Sequence, residues 1–320
     1  MKMKNELLIL SSILLVAAAC KTTETETKPV SWKTQSAYLA TVQDPRRFGY
    51  SIYETPSGID YRGGSRLHPN QAEALTMEAE DPLRSVVMMK GNFGLDAPVL
   101  LDFSTSASWL EFDLAKALDA VPINERDAQL FKTPGEEIPG CPSVVAALRF
   151  GQLHVENPLV NVRMATGSLG SLARDIKKPE LKGVIGWEIL RKFEQIQLDY
   201  TAKKILISTG GTAYMPNPAM VAGKLPLVKY AGACAVRGLV DGKEQLILID
   251  PAGDFEVATD GEVPVASVQL DADMLFSAPA VAKSTGGIRI GARLLKSYKI
   301  VIRPQAGLIY FEKPDAGKEK

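Results

Sequence analysis

Two aspartates, Asp102 and Asp250, occupy the same position in two similar stretches of the sequence. Each follows the second apolar run of a predicted β-hairpin, residues 97–101 in one case and 245–249 in the other. The second hairpin turns at Asp241-Gly242, a strong short-range signal for such a turn. A carboxyl group held at the end of a strand is a candidate for acid and base chemistry, which depends on mutual geometry. A hairpin whose second strand leads into an aspartate thus occurs twice, 148 residues apart.

The elements around these acids are also duplicated. Residues 185–193 align with residues 290–298, and each stretch is predicted to be a strand that ends at a glycine, Gly186 or Gly291, and runs into a short helix. A hairpin is predicted to follow each of them. Two homologous β units account for a chain of 320 residues. We assign the units to residues 85–209 and 224–315, with a linker at residues 210–223 that contains two prolines.

This order of elements resembles the retropepsin-like aspartyl peptidases, and two copies in one chain resemble the bilobed pepsin-type arrangement. The most specific stretch is residues 183–200, GVIGWEILRKFEQIQLDY. The resemblance implies a mainly β, two-lobed, aspartic-peptidase-like (acid protease) fold, preceded here by an extra N-terminal segment at residues 35–84. It also implies that Asp102 and Asp250 face each other and share a proton, one activating a water and the other protonating the peptide carbonyl.

The loops after the two acids depart from the family pattern, which is Asp-Thr/Ser-Gly. They read Asp102-Phe103-Ser104 and Asp250-Pro251-Ala252, so both locking hydroxyls and both glycines are replaced. Thr105 occupies a position where many members have a hydroxyl bonded to the first acid, and Ser104 and Ser106 could substitute for it. With Gly186 and Gly291, Ser104 and Thr105 form the supporting loop set.

Because catalysis depends strongly on geometry, these changes favour a degenerate site. We expect a cell-envelope lipoprotein whose interlobe cleft binds extended polypeptide as an added strand, with hydrolysis weak or lost. A hairpin around Thr133 to Arg149 would cover the cleft, without a counterpart in the shorter second lobe. Two alternatives stay open: an active aspartic endopeptidase using Asp102 and Asp250, and a structural lipoprotein whose cleft is filled by its own N-terminal segment.

The first twenty residues have the pattern of an export signal. Lys2 and Lys4 precede an apolar run at residues 7–16, and three alanines then lead to Cys20. A cysteine after small residues resembles the bacterial lipobox, which implies a signal peptide at residues 1–19 and a lipid on Cys20. A polar tether, residues 20–34, would follow. The mature chain would be anchored to the cell envelope, at the outer membrane if the cell is Gram-negative. The alternative is an ordinary secretory signal with a chance cysteine.

Composition narrows the remaining classes of function. Lys and Arg together number 37, as do Asp and Glu, so no net charge favours a nucleic-acid partner. The sequence has only three cysteines and two histidines, which offers few ligands for a metal, and it has no nucleotide-binding motif. We therefore expect neither metal nor cofactor. Cys141 and Cys234 could form a disulfide or remain two buried thiols. In the N-terminal segment we predict a hairpin around residues 56–58 and a short helix at residues 70–80.

Overall fold

A computed structural model of the chain describes residues 27–56, 58–78, 84–91, 96–124, 131–133, 136–167, 169, 180–210, 216–230, 232–284 and 286–314. The predicted signal peptide and Cys20 lie outside these residues. Among the residues that the structure describes, strands make up 51% and helices 11%, which confirms the mainly β expectation. Two curled half-barrel sheets and a third sheet between them form the body of the molecule. Among the described residues, no helix is long and apolar enough to cross a membrane.

The N-terminal segment wraps around the first lobe. Its elements are β1 (Lys28–Pro29), α1 (Trp32–Leu39), a 3₁₀ turn (Pro45–Phe48), β2 (Tyr50–Thr55), β3 (Gly58–Gly63), β4 (Arg66–Leu67) and β5 (Ala72–Thr76). The pairing of β2 with β3 confirms the hairpin predicted around residues 56–58. The helix predicted at residues 70–80 is wrong, because this stretch forms β5 and pairs with a strand of the central sheet. The end of the predicted tether is folded into β1 and α1.

The first lobe is built on an eleven-stranded sheet that also takes in β4. Its own elements are β6 (Val86–Lys90), β7 (Asp96–Leu101), β8 (Trp109–Leu110), α2 (Phe112–Ala117), β9 (Val121–Pro122), β10 (Phe131–Thr133), β11 (Glu136–Val144), β12 (Ala147–Phe150), β13 (Leu153–Glu156), β14 (Leu159–Arg163), β15 (Ala165–Thr166), β16 (Gly183–Ile185) and α3 (Trp187–Leu190). The pair β17 (Gln195–Asp199) and β18 (Lys204–Ser208) then enters the central sheet. The hairpin expected around Thr133 to Arg149 is present as β10 and β11, but β11 ends at Val144 and β12 belongs to the next hairpin.

The second lobe repeats this plan with fewer elements. They are β19 (Val221–Pro226), β20 (Val228–Tyr230), β21 (Ala233–Val240), β22 (Lys243–Asp250), β23 (Val257–Asp260), β24 (Ser267–Asp271), β25 (Met274–Ser277), β26 (Val281–Ser284), β27 (Ile288–Gly291), α4 (Ala292–Leu295), β28 (Lys299–Arg303) and β29 (Leu308–Glu312). The predicted turn between β21 and β22 has positive φ at both Asp241 and Gly242, as a type I′ turn requires. Between β23 and β26, a stretch described without gaps, the second lobe has no hairpin matching β10 and β11.

The same strand arrangement occurs at the centre of both lobes. In the first lobe, β16 lies between β7, to which it is parallel, and β8, to which it is antiparallel. In the second lobe, β27 lies in the same way between β22 and β23. The outer strands also correspond, because β8 is parallel to β14 and β23 is parallel to β26. This repeated arrangement brings the ends of β7 and β22, where the two aspartates lie, to equivalent places.

A six-stranded antiparallel sheet joins the lobes, in the order β19, β29, β28, β17, β18, β5. Its central contact pairs β17 of the first lobe with β28 of the second. Gln197 pairs with Val301, and these are the middle residues of their strands. The register is therefore symmetric about this one pair. Buried side chains of both strands, including Ile196 and Ile300, belong to a single apolar core that continues through both lobes.

Candidate active site

Asp102 is positioned by the strand that precedes it and by its own loop. Its backbone N–H donates to the carbonyl of Ile185 in β16 at 2.9 Å, which continues the pairing of β7 with β16. One carboxylate oxygen, Oδ1, accepts two hydrogen bonds from Ser104, one from the backbone N–H and one from Oγ, both at 2.8 Å. The first acid is thus oriented by the serine two residues later in the chain.

Asp250 is held differently. It is the last residue of β22, is 4% exposed and pairs with Gly291 in β27. Its Oδ2 accepts a hydrogen bond from Arg289 Nη1 at 3.4 Å, and its buried Oδ1 has no hydrogen-bond partner within the part of the chain that the structure describes. Pro251 and Ala252 supply no side-chain donor. The second acid therefore depends on a cation from the neighbouring strand and not on its own loop.

Ser104 and Arg289 connect the two acids across the lobes. Arg289 Nη1 also donates to Ser104 Oγ, at 3.2 Å, so a continuous series of polar contacts runs from Asp102 through Ser104 and Arg289 to Asp250. The structure thus brings together the two predicted acids and the predicted loop serine. Sequence reasoning missed Arg289. A single charged residue within the apolar run Ile288-Arg289-Ile290, just before Gly291, was the available signal.

The electrostatics of the site centre on Asp250. The pKa of Asp250 is raised to about 6: burial is the largest cause and the negative charge of Asp102 adds to it, while Arg289 and the Ser104 hydroxyl act in the opposite direction. Burial likewise raises the pKa of Tyr200, with a smaller contribution from the charge of Asp250. The Tyr200 hydroxyl is buried and has no partner among the described residues. Two buried oxygen atoms, Asp250 Oδ1 and Tyr200 Oη, therefore keep unused hydrogen-bonding capacity.

The raised pKa predicts a pH-dependent contribution of Asp250 to stability. The folded carboxyl holds its proton more tightly than an unfolded one, with a pKa near 3.8, so the free energy of unfolding falls as the pH rises from about 4 to about 6. The change is up to about 3 kcal/mol for a shift of roughly two units. Asp250→Asn cannot ionise and should lose this component. Denaturant unfolding of both proteins from pH 4 to pH 8 measures it.

A suitable control for this comparison is Asp273→Asn, which changes an exposed carboxylate in the turn between β24 and β25. The free energy of unfolding of this variant should change with pH in the same way as that of the unchanged chain. If the free energy of unfolding of Asp250→Asn did so as well, Asp250 would not carry a raised pKa in the folded protein.

Phe103, which replaces the first of the two expected hydroxyls, joins the two lobes through its backbone. The Phe103 side chain is fully buried and packs against Trp187, with ring centroids 6.0 Å apart. Its carbonyl accepts a hydrogen bond from the Cys234 N–H of the second lobe at 2.7 Å. Thr105 uses its carbonyl to accept from the Trp187 N–H, and the hydroxyl bond to Asp102 comes from Ser104 instead. Apolar packing and backbone bonds thus take the place of paired hydroxyls.

Gly186 and Gly291 lie where the backbone of each lobe approaches its acid-bearing loop most closely. A Cβ on Gly186 would lie 2.5 Å from the carbonyl oxygen of Ala107, and one on Gly291 would lie 2.3 Å from that of Phe255. Next to these contacts, the Trp187 N–H donates to Thr105 O and the Ala292 N–H donates to Gly253 O. The predicted supporting role of both glycines therefore has a steric basis.

An ion-pair cluster fixes the second loop from both lobes. Asp254 accepts a hydrogen bond from Arg293 Nε in α4 at 2.8 Å, and its other oxygen lies 3.7 Å from Arg84 Nη2 at the start of the first lobe. The Arg84 side chain is almost completely buried. Sequence reasoning did not single out these residues, because their partners are distant in the chain.

The remaining predicted site residues have separate environments. Cys141 and Cys234 are both buried and are present as thiols, without a disulfide between them. Burial raises the pKa of the Cys234 thiol, and Cys141 Sγ lies 3.6 Å from the carbonyl of Asn124. Within the described residues, no group of three or more His, Cys, Asp or Glu side chains could hold a metal ion.

The N-terminal segment borders the site without bonding to its acids. The β2–β3 hairpin and the loop Ser106 to Ser108 line a cleft of about 730 Å³ beside α3. No hydrogen bond or ion pair joins the described residues 27–78 to Asp102 or Asp250. This segment therefore covers one flank of the first lobe and leaves the acids free of its side chains.

No family model matches this chain. A search of curated proteins finds no match either. The function must therefore be inferred from the repeat, the loops and the contacts of Asp102, Asp250 and Arg289.

Proposed function

We propose that this chain is an exported, lipid-anchored protein of the cell envelope with an aspartyl-peptidase-like fold, and that its interlobe cleft binds extended polypeptide without cleaving it efficiently. The observation that carries the proposal is the contact of Arg289 with both Ser104 and Asp250. The lipid anchor rests on the signal-like sequence that ends at Cys20.

The repeated architecture supports the kinship with aspartyl peptidases. In both lobes an apolar strand leads into an aspartate, and a parallel strand lies beside it. That second strand leads into a glycine, which packs against the acid-bearing loop. A sheet made by both lobes lies beneath. This is the layout that the sequence resemblance implies, with one acid from each lobe.

The chemistry of the acids argues against efficient hydrolysis. Two carboxylates catalyse this reaction when they share one proton and one of them activates a water between them. Here Oδ2 of Asp250 is bonded to a guanidinium that also contacts the loop of Asp102. A permanent cation beside the pair favours the ionised form of Asp250 and competes with a shared proton. The site is thus asymmetric, because of the two acids Arg289 bonds to Asp250 alone, whereas the Ser104 hydroxyl donates to Asp102 and also lowers the pKa of Asp250.

This architecture is still compatible with peptide binding, because binding requires fewer precisely aligned groups than hydrolysis does. An extended peptide can add to a strand edge, with backbone hydrogen bonds for affinity and alternate side chains in pockets. The root of the β10–β11 hairpin is packed tightly, since a Cβ on Gly140 would lie 2.6 Å from the Trp109 ring.

One observation favours the second candidate, an active endopeptidase. The pKa of Asp250 is raised to about 6 by burial and by the charge of Asp102, as expected for an acid that donates a proton in weakly acidic solution. The third candidate, a structural lipoprotein with a self-filled cleft, has less support, because the described N-terminal residues make no bond to either acid.

The test combines cleavage and binding in one series. The purified full-length chain, Asp102→Asn and Asp250→Asn are incubated with a diverse peptide pool from pH 3 to pH 7, and products and retained peptides are identified by mass spectrometry. We expect retained peptides, cleavage near background, and no further loss of cleavage in either variant. Cleavage that both substitutions abolish would establish the endopeptidase. Absence of both retention and cleavage would leave the structural function.

A further inference from the structure

A second groove lies behind α3, away from Asp102 and Asp250. It has a volume of about 630 Å³ and runs between Trp187 to Lys192 of the first lobe and β20 of the second, with the turn at Pro304 to Gly307 closing one end. None of the residues that line it bonds to either acid. The groove therefore makes no contact with the two acids, although it shares Arg191 and Lys192 with the 730 Å³ cleft on the other side of α3.

Among the described residues that line this groove, every charged side chain is a cation. Arg191, Lys192 and Lys229 line it, and no aspartate or glutamate does. Arg191 pairs with Glu188, whereas Lys192 and Lys229 form no ion pair among the described residues. Arg191 and Lys192 also line the neighbouring cleft, together with Glu188. Lys192 is half-buried; burial and the charge of Arg191 lower its pKa, and the charge of Glu188 raises it. Glu188 thus compensates part of the positive charge, but Arg191, Lys192 and Lys229 still give the groove a net positive lining, which favours an anionic occupant.

One wall of the groove is a strand edge. Within the described chain, β20 pairs only with β21. Its three residues all line the groove and give about 10 Å of edge at roughly 3.3 Å per residue. Unpaired backbone groups on an edge strand are a template for an added strand. Leu227 and Tyr230, which is 41% exposed, provide apolar surface beside this edge.

From the cationic lining and the free edge together, we propose that this groove binds an acidic peptide segment of a partner protein in extended form, paired with β20 and with its carboxylates at Lys192 and Lys229. Alternate residues of a strand point to opposite sides. A segment with an acidic residue at every second position would therefore place its carboxylates on one side and its other side chains on the apolar surface.

The binding experiment uses the full-length chain and a fluorescent hexapeptide that alternates leucine and glutamate, followed by fluorescence anisotropy. The matched peptide with lysine in place of glutamate should bind at least about tenfold more weakly. The double variant Lys192→Gln with Lys229→Gln should lose on the order of tenfold in affinity for the acidic peptide. Raising the salt from 50 to 300 mM should weaken binding to the unchanged chain.

Two controls separate this proposal from simpler explanations. Lys243→Gln removes an exposed lysine elsewhere on the second lobe and should leave the affinity unchanged. N-methylation of the peptide backbone along one edge should abolish binding, and along the other edge it should not, as pairing with a single strand requires. Thermal melts of the double variant should match those of the unchanged chain, which excludes loss of fold.

Several results would overturn the proposal. These are equal binding of acidic and basic peptides, no effect of the double substitution, or loss of binding with both methylation patterns. Anionic lipid vesicles that bind through the same two lysines while the peptide does not would assign the groove to a membrane surface instead. Peptide binding that appears only after Glu24 and Glu26 are changed to glutamine would identify the chain's own tether as the occupant.

Discussion

Replacement of Arg289 by methionine is expected to lower the free energy of unfolding by about 3 kcal/mol at pH 8 and by only about 1 kcal/mol at pH 4. At pH 8 Asp250 is ionised and almost fully buried, and Arg289 is its cationic partner. At pH 4 the carboxyl is protonated, because its pKa is raised to about 6, so only a hydrogen bond and packing are lost. Without the guanidinium the pKa of Asp250 should rise further, and stability should fall more steeply with pH.

The measurement is chemical denaturation at both pH values, with Arg237→Met as the matched control. Arg237 pairs with Glu244 on the surface, where both side chains are more than half exposed. Its loss should cost less than about 1 kcal/mol at either pH, as is usual for an exposed pair. Equal destabilisation of the Arg289→Met chain at pH 4 and pH 8 would mean that Arg289 does not compensate the charge of Asp250.

The same variant bears on the reaction. If Arg289 suppresses hydrolysis by its contacts with Ser104 and Asp250, its removal should raise peptide cleavage above background at weakly acidic pH, where the Asp250 carboxyl is still partly protonated. This measurement uses pH 5, where the destabilisation is smaller. Unchanged background cleavage in a folded Arg289→Met chain would assign the loss of activity to the loops that contain Phe103 and Pro251.

Gly291→Ala is expected to destabilise the chain by about 3 kcal/mol or more, the upper range for overpacking. The added methyl group would lie 2.3 Å from the backbone oxygen of Phe255 and 2.9 Å from that of Gly253. Backbone atoms cannot rotate away as a side chain can, so β27 and the loop after Asp250 must separate. Thermal unfolding followed by circular dichroism measures the loss, and a chain that fails to fold would give the same answer more strongly.

Gly253→Ala is the control for this prediction. Its added methyl group would also be close to a neighbour, but that neighbour is the half-buried side chain of Phe255, which can change its rotamer. We expect a clearly smaller loss of stability, about 1 kcal/mol. Equal losses in the two variants would show that the close approach of Gly291 to the backbone is not what requires a glycine.

The sequence was most informative where local signals and repetition agree. The hairpin of β21 and β22 follows from an Asp-Gly turn between apolar runs, and the glycines at the ends of β16 and β27 follow from the aligned repeats. Asp102, Asp250 and Ser104 could be placed together because each is fixed by an element close to it in the chain. Interactions between residues close in the chain determine such features.

The parts that could not be predicted depend on contacts between distant residues. Residues 70–80 carry a plausible helix start at Asn70, but β5 pairs with β18, and this tertiary pairing outweighs local propensity. Arg289 could not be assigned to the site because its target oxygen atoms lie in other strands and loops. The pairing of Arg84 with Asp254 likewise joins the two lobes. The edge of β20 that faces α3 has no local signature either.

The symmetric register of β17 and β28 has a consequence for the origin of the chain. A single half with this strand could make the same contact with a second copy of itself, about a two-fold axis at the position of Gln197 and Val301. In such a homodimer, assembly would depend on protein concentration, and any substitution would appear in both subunits at once. Covalent fusion makes the contact intramolecular and lets the halves diverge separately. Arg289 illustrates this, because the equivalent position of the first half is the buried, uncharged Val184.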